Sequence, residues 1–76
     1  VFSYATVTVS SAWLRGYSVY LDGNYQATEG TTGEPVGQVT ITAPGDQYHT
    51  VAVYGSGFSY TNNRYFNAGW SYTLNV

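Results

Sequence analysis

A single histidine is the side chain of this sequence best suited to proton transfer near neutral pH. His49 stands in an alternating run that places it on the same strand face as Val51 and Val53. General base catalysis needs a partner within hydrogen-bond reach, and the sequence supplies no partner by its spacing. We therefore expect His49 to lie at a strand edge and to bond a loop carbonyl.

A serine nucleophile is the second chemistry to consider. The segment Gly55-Ser56-Gly57 lacks the Gly-x-Ser-x-Gly spacing of a nucleophile elbow, and no helix pattern follows it. We interpret it as a turn. The 76 residues contain no cysteine, which excludes disulfides and thiolate metal sites within the chain. We predict that the protein is not an enzyme.

The carboxylates are the remaining candidates for catalysis or metal binding: Asp22, Glu29, Glu34 and Asp46. Each stands in a Gly- or Pro-rich turn, where acids commonly accept hydrogen bonds from the local backbone. No Asp-x-Asp spacing supports a calcium cage, and one histidine does not make a multi-histidine site. We predict neither a metal nor a cofactor.

Charge is scarce, at 8% of the residues, and lysine is absent. The net charge is −2, so phosphate neutralisation and nucleic-acid binding are not expected. No apolar run reaches the roughly 18 residues of a membrane span. A surface made polar by Tyr, Thr, Ser, Asn and Gln instead of by charged residues is typical of a protein outside the cell or within an assembly. We expect an extracellular or cell-surface location.

Alternating residues predict short strands throughout, and no helical spacing persists. The predicted strands cover residues 1–10, 17–21, 25–28, 38–43, 48–54 and 70–76, with two further short extended pieces at residues 58–60 and 64–66. Asp22-Gly23 is a strong hairpin turn between the second and third strands. We predict that residues 1–76 form one all-β domain, a small antiparallel, Ig-like β-sandwich of six to seven strands, with a small open barrel as the alternative.

Two connections complete the predicted layout. Residues 11–16 break the alternation and end in glycine, so we expect Trp13 or Leu14 to cover an end of the core. Residues 29–37 form the longest loop, and residues 61–63 form a turn between two short strands.

Six segments stand in a recognisable order: Ser18-Val-Tyr-Leu-Asp-Gly23, Gly37-Gln-Val-Thr-Ile41, Ala43-Pro-Gly45, Tyr48-His-Thr-Val-Ala-Val53, Gly57-Phe58 and Ala68-Gly69. Over residues 17–76 the chain resembles the PEGA family of small surface-exposed β-domains. The Pro-Glu-Gly-Ala motif that names the family is absent, and residues 11–16 stand in its place. The resemblance implies a structural or interaction role in a prokaryotic cell envelope, and it brings no catalytic residues.

The aromatic residues are too many for the core of so small a domain, so some must be exposed or lie at interfaces. They form cross-strand pairs, pack subunits together or stack on sugars, and the sequence leaves these alternatives open. The interface candidates are Tyr4, Val7, Val9, Trp13, Tyr20, Tyr25, Tyr54, Tyr60, Tyr65 and Trp70.

The outward hydroxyl residues are ordinary solvent-facing strand positions or acceptors of O-linked glycan: Thr6, Thr8, Ser18, Thr40, Thr42, Ser71 and Thr73. The two terminal strands carry no charge or proline to prevent edge pairing. We predict a structural protein whose partners are copies of itself, in a surface filament, sheath or stalk held by aromatic contacts and terminal-strand addition. The alternative is a module that binds glycan or protein through exposed Tyr and Trp.

Overall fold

The computed structural model describes residues 4–31, 33 and 35–76. These residues form seven strands: β1 (Tyr4–Ser10), β2 (Ser18–Leu21), β3 (Asn24–Thr28), β4 (Gln38–Pro44), β5 (Gln47–Gly55), β6 (Phe58–Phe66) and β7 (Ser71–Asn75). The predicted all-β fold is confirmed, and none of the described segments is a helix that could cross a membrane. Residues 1–3 of the first predicted strand, and Glu34, lie outside the described residues.

The strands form two sheets around one shared core. Sheet A has the strand order β4–β1–β7, and sheet B has the order β3–β2–β5–β6. The predicted two-sheet sandwich is confirmed, and its pairings are mostly antiparallel. The pair of β1 with β7 is parallel and aligns Thr6 with Ser71, which the strand pattern does not indicate.

Alternation along the strands turns one side of each sheet into the core. The buried cluster consists of Ala5, Val7, Val9, Leu14, Tyr17, Val19, Leu21, Val39, Ile41, Ala43, Val51, Val53, Phe66 and Leu74. Burial of each larger apolar side chain contributes roughly 1.5–3 kcal/mol. Tyr17 is fully buried, and its hydroxyl donates to the carbonyl of Gly37 at 2.8 Å, with the carbonyl of Val9 at 3.1 Å. The polar end of this ring is therefore satisfied inside the core.

The β2–β3 hairpin forms as predicted. Asp22 and Gly23 have φ angles of 51° and 83°, the two positive values that a type I′ turn needs. Tyr20 pairs with Tyr25, and Gln26 is an extra residue that makes a β-bulge in β3. The bulge leaves both tyrosine rings on the outer side of sheet B.

The connection between β1 and β2 covers one end of the core, and Leu14 is the residue that does so. Leu14 is buried, and its N–H donates to the Ser11 hydroxyl at 2.8 Å. Trp13 remains largely exposed, with its ring edge-on to that of Phe58 at 5.1 Å. Of the two candidates for this role, Leu14 fills it.

β6 differs from the sequence prediction. Phe58–Phe66 is one continuous strand of 9 residues that pairs with β5 along its whole length. The predicted turn at residues 61–63 is therefore wrong. Thr-Asn-Asn favours a turn locally, but pairing with a neighbouring strand overrides that preference. The Asn63 side-chain amide also donates to the Thr50 hydroxyl at 2.9 Å, which fixes it against β5.

Candidate contact surface

His49 is buried near the start of β5, and its ring lies against two acceptors. Nε2 is 2.7 Å from the carbonyl oxygen of Pro44, and Nδ1 contacts the carboxylate of Asp22. A carbonyl bond is present as expected, but it is made to the last residue of β4 and not to a loop, and the expected edge position is wrong because β5 is an inner strand of sheet B. The contacts join the β2–β3 turn and the end of β4 to β5.

Glu29 is a buried acid that connects two loops. Its Oε1 accepts the N–H of Gly16 at 2.6 Å, and its Oε2 accepts the N–H of Gly37 at 2.9 Å. These two bonds to the charged form hold the pKa of Glu29 below its ordinary value. Asp46 likewise connects two segments, since its Oδ1 accepts the N–H of Ala68 at 3.1 Å.

Asp22 is the third acid that bonds the backbone. Its contact with His49, and then the N–H of Thr50 at 2.9 Å, lower the pKa of the Asp22 carboxyl. Asp22, Glu29 and Asp46 thus bond backbone, as predicted, but the N–H groups that they accept lie 8 to 28 residues away in the chain, so the expectation of local bonds is wrong. Within the described residues, no three His, Asp or Glu side chains gather into a group that could hold a metal ion.

Ser56 lies in the turn between β5 and β6, as expected, beside Gly57 with φ of 67°. His49 is seven residues earlier on the same extended segment, about 23 Å away. The two side chains therefore do not form a nucleophile and base pair.

The outer side of sheet B is an aromatic surface that draws on all four of its strands. Its large members are Tyr20 of β2, Tyr25 of β3, Tyr48 and Tyr54 of β5 and Tyr65 of β6. Small residues stand between them: Ser18, Thr28, Thr50, Ala52, Ser59, Thr61 and Asn63. We refer to this surface as the tyrosine face.

The tyrosine rings form two groups. Tyr20 lies edge-on between Tyr25 and Tyr54, with ring centroids 5.6 and 5.4 Å away, and Tyr48 lies edge-on to Tyr65 at 5.3 Å. Such pairs contribute about 0.5–1.5 kcal/mol each. Even so, Tyr48, Tyr25, Tyr54 and Tyr65 remain 69%, 55%, 49% and 40% exposed. The rings therefore stabilise the sheet and still present apolar surface to solvent.

A shallow depression of about 570 Å³ lies within the tyrosine face. Its lining consists of Ser18, Tyr20, Gly23, Thr50, Ala52, Tyr54 and Thr61. Two aromatic rings and several hydroxyl groups thus meet around the small side chain of Ala52. Rings beside hydroxyl groups offer both stacking and hydrogen bonding to a ligand.

Charge is nearly absent from the tyrosine face. The outward strand residues of this face are uncharged, and two acids next to its strands, Asp22 and Asp46, already accept hydrogen bonds from the Thr50 and Ala68 N–H groups. Arg64 lies on the other side of β6, with its guanidinium 4.8 Å from the ring centroid of Tyr72. A partner would therefore meet aromatic and hydroxyl groups without desolvating an unpaired charge.

The other aromatic interface candidates lie away from the tyrosine face. Tyr4, Trp13 and Trp70 are exposed, whereas Tyr60 is half-buried against the core. Of the predicted interface residues, the tyrosine face therefore contains Tyr20, Tyr25, Tyr54 and Tyr65, and the remaining candidates lie outside it.

Val7 and Val9 require a correction. The sequence places them at an interface on the assumption that the first strand is a free edge. β1 is instead the central strand of sheet A, paired on both sides, and both valines are fully buried. Their side chains belong to the core and are not open to a partner.

The outer side of sheet A carries hydroxyl groups on three adjacent strands: Thr6, Thr8, Thr40, Thr42, Ser71 and Thr73. The hydroxyls of Thr8 and Thr40 lie 3.3 Å apart. Ser18, which the sequence groups with them, lies on sheet B. We refer to this side as the hydroxyl face, and its use as a glycan acceptor stays a prediction.

Tyr48 is the member of the tyrosine face that the interface prediction missed. It is the most exposed tyrosine of the described chain. The signal was available, because alternation along β5 puts Tyr48 on the same side as Thr50, Ala52 and Tyr54.

Comparison of the chain with models of protein families, with curated proteins and with solved structures finds no match.

Proposed function

We propose that this chain is a non-catalytic structural subunit of an extracellular or cell-surface assembly, such as a filament, sheath or stalk. Copies associate through the tyrosine face. The observation that carries the proposal is the set of exposed tyrosine rings on a surface whose outward strand residues are uncharged. Burying such a surface removes apolar area from water and leaves no unpaired charge in the interface.

The size of the tyrosine face supports repeated contacts. Strands of 4, 5, 9 and 9 residues, about 4.8 Å apart and rising about 3.3 Å per residue, give the face roughly 430 Å². A standard stable interface buries about 800 Å² per partner. One tyrosine face is therefore sufficient for weak association, and a lasting assembly needs a second contact.

The small size of the chain supports association as well. A domain of 76 residues buries only about 60% of the surface that its unfolded chain exposes. Binding to the folded state raises its stability by mass action. The resemblance to PEGA domains points to the same setting, a prokaryotic cell surface, and we keep it as part of the proposal.

The test compares native mass and morphology across variants. Sedimentation velocity over a concentration series, with electron micrographs of the same samples, should show wild-type oligomers that grow with concentration. The double variant Tyr48→Ser/Tyr54→Ser should form nothing larger than a dimer of the 8.3 kDa chain. Tyr4→Ser is the matched control, because Tyr4 is similarly exposed but lies outside the tyrosine face. A wild-type chain that stays monomeric throughout would overturn the proposal.

A glycan-binding module is the second candidate function, and the depression around Ala52 favours it. Tyr20 and Tyr54 beside Ser18 and Thr61 supply stacking surface and hydrogen-bonding groups, as sugar sites require. Ala52→Leu would fill the depression and leave the exposed rings in place. If retention on polysaccharide resins falls with Ala52→Leu while native mass is unchanged, glycan binding is the better account.

A further inference from the structure

β6 is the least protected edge strand of the two sheets. The other edges are β3, β4 and β7. β3 and β7 have 5 residues each, β3 carries a bulge, and β4 ends in Pro44. β6 has 9 residues, no proline and no register shift against β5. Long regular edges of this kind are templates for pairing with another strand.

The unpaired backbone groups of β6 belong to alternate residues. The N–H of Asp22 donates to the carbonyl of Thr50, so Thr50 directs its backbone groups toward β2. Successive residues of a strand direct their backbone N–H and C=O groups to opposite sides. Val51 therefore directs its backbone groups toward β6, where it pairs with Asn62. Even-numbered residues of β6 therefore bond β5. The backbone groups at the open edge are those of Ser59, Thr61, Asn63 and Tyr65.

Arg64, the charged residue of β6, does not oppose pairing at this edge. Its guanidinium lies over the rings of Tyr72 and Phe66, at 4.8 and 5.7 Å from their centroids. The charge thus has aromatic partners within its own chain. A strand that docks on β6 meets uncharged side chains on the outer side.

Asn62 is the middle residue of the nine-residue β6: Phe-Ser-Tyr-Thr-Asn-Asn-Arg-Tyr-Phe. Phenylalanine stands at each end, and polar residues occupy the middle. Antiparallel self-pairing centred on Asn62 sets Phe58 against Phe66 of the partner subunit. It also sets Thr61 against Asn63 of the partner subunit. Each pair joins side chains from the same side of the sheet.

We propose that β6 pairs antiparallel with β6 of a second copy, about a two-fold axis at Asn62. This inference rests on the proposed self-assembly and names its second contact. In this register the hydrogen-bonded positions are those of Ser59, Thr61, Asn63 and Tyr65, which are the residues with open backbone groups. A register shifted by one residue would set core-facing side chains against outward ones, which the sheet does not tolerate.

The pairing produces a continuous eight-stranded sheet from two four-stranded ones. Its two-fold axis is perpendicular to the sheet, so both tyrosine faces lie on the same side. Their combined area is roughly 850 Å². The β6 contact is isologous and closes as a dimer. The doubled tyrosine face then joins one dimer to the next.

Cysteine cross-linking tests the register, because the chain has no cysteine of its own. Asn62 would face its own copy as a non-hydrogen-bonded pair with Cα atoms about 4.5 Å apart, within disulfide range. Asn62→Cys should therefore form a dimer of twice the 8.3 kDa chain under mild oxidation. In Asn63→Cys the two cysteines would be about 8 Å apart, so its dimer yield should be about tenfold lower. Equal yields, or a higher yield for Asn63→Cys, would overturn the proposed pairing.

A proline pair tests the edge without cysteine. Thr61→Pro removes an open-edge N–H and leaves the bonds to β5. Thr73→Pro is the matched control on β7. Trp70 and Val76 bond β1 through their backbone groups, so by alternation along the strand the N–H of Thr73 points away from β1. Thr61→Pro should lose the dimer, and Thr73→Pro should keep it, with circular dichroism confirming that both fold. Undiminished assembly of Thr61→Pro would overturn the β6 contact alone, whereas a monomeric wild type would overturn the proposed function itself.

Discussion

Single carboxylates connect distant segments of a chain that has few charges. Glu29 joins the loop before β2 to the loop before β4, because each of its oxygens accepts one backbone N–H. Asp22 joins the β2–β3 turn to β5 through His49 and the N–H of Thr50. Charge-assisted bonds of this kind are stronger than neutral ones. Loss of either charge therefore affects the packing of whole loops.

The lowered pKa values of Asp22 and Glu29 predict a loss of stability in acid. A carboxyl whose folded-state pKa lies below its unfolded value stabilises the fold at higher pH, and that contribution disappears as the pH falls through the folded-state pKa. We expect the urea midpoint of unfolding to be constant from neutral pH to about 5 and to fall below about pH 4. Glu29→Gln should lower the midpoint at pH 7 and approach wild type in acid. Parallel curves for the two proteins would contradict this account.

The sequence predicts that these acids bond backbone groups, but it does not predict which residues they bond. A carboxylate in a turn is expected to bond nearby backbone, and Asp22, Glu29 and Asp46 do bond backbone, but through N–H groups that are distant in the chain. The partners of Glu29, however, lie 13 and 8 residues away along the chain. Only the folded arrangement of the loops brings Gly16 and Gly37 together.

The strands show the same division between local and long-range information. The β2–β3 hairpin was predictable because Asp22-Gly23 adopts its turn by its own conformational preference. β6 was not, because Thr61, Asn62 and Asn63 prefer turns and are held in a strand by β5. Pairing across the sheet decides such segments, and a single sequence does not reveal it.

The turn between β4 and β5 provides a prediction at this scale. It packs against the connection before β7, where a Cβ added to Gly45 would lie 2.4 Å from the Cα of Ala68. Gly45→Ala should therefore destabilise the fold by about 1–3 kcal/mol, since backbone must shift to admit the methyl group. Gln47→Ala, at an exposed position near the same turn, should change stability by less than about 0.5 kcal/mol. Denaturant unfolding of both variants makes the comparison, and equal effects would contradict the close packing of the turn.

The whole molecule presents two different outer surfaces on one sandwich. Alternation in the sequence predicts the sandwich and its inward residues, because the period of two fixes which side of each strand is buried. The order of strands in each sheet, and the parallel pair of β1 with β7, depend on contacts between the two ends of the chain. The five tyrosines lie on one face of sheet B because of that strand order, so the sequence of no single segment predicts the tyrosine face.

The scarcity of charge predicts how assembly responds to salt. None of the strands of sheet A contains a charged residue, and the tyrosine face has the engaged Asp22 carboxylate at its rim. Interactions between exposed charges weaken as the Debye length falls from about 10 Å at 0.1 M salt to about 3 Å at 1 M. Apolar burial does not weaken in this way, and sulfate strengthens it. We therefore expect oligomers measured by sedimentation to persist in 1 M sodium chloride and to grow in ammonium sulfate. Dissociation at high salt would show that charged contacts, not the tyrosine face, hold the copies together.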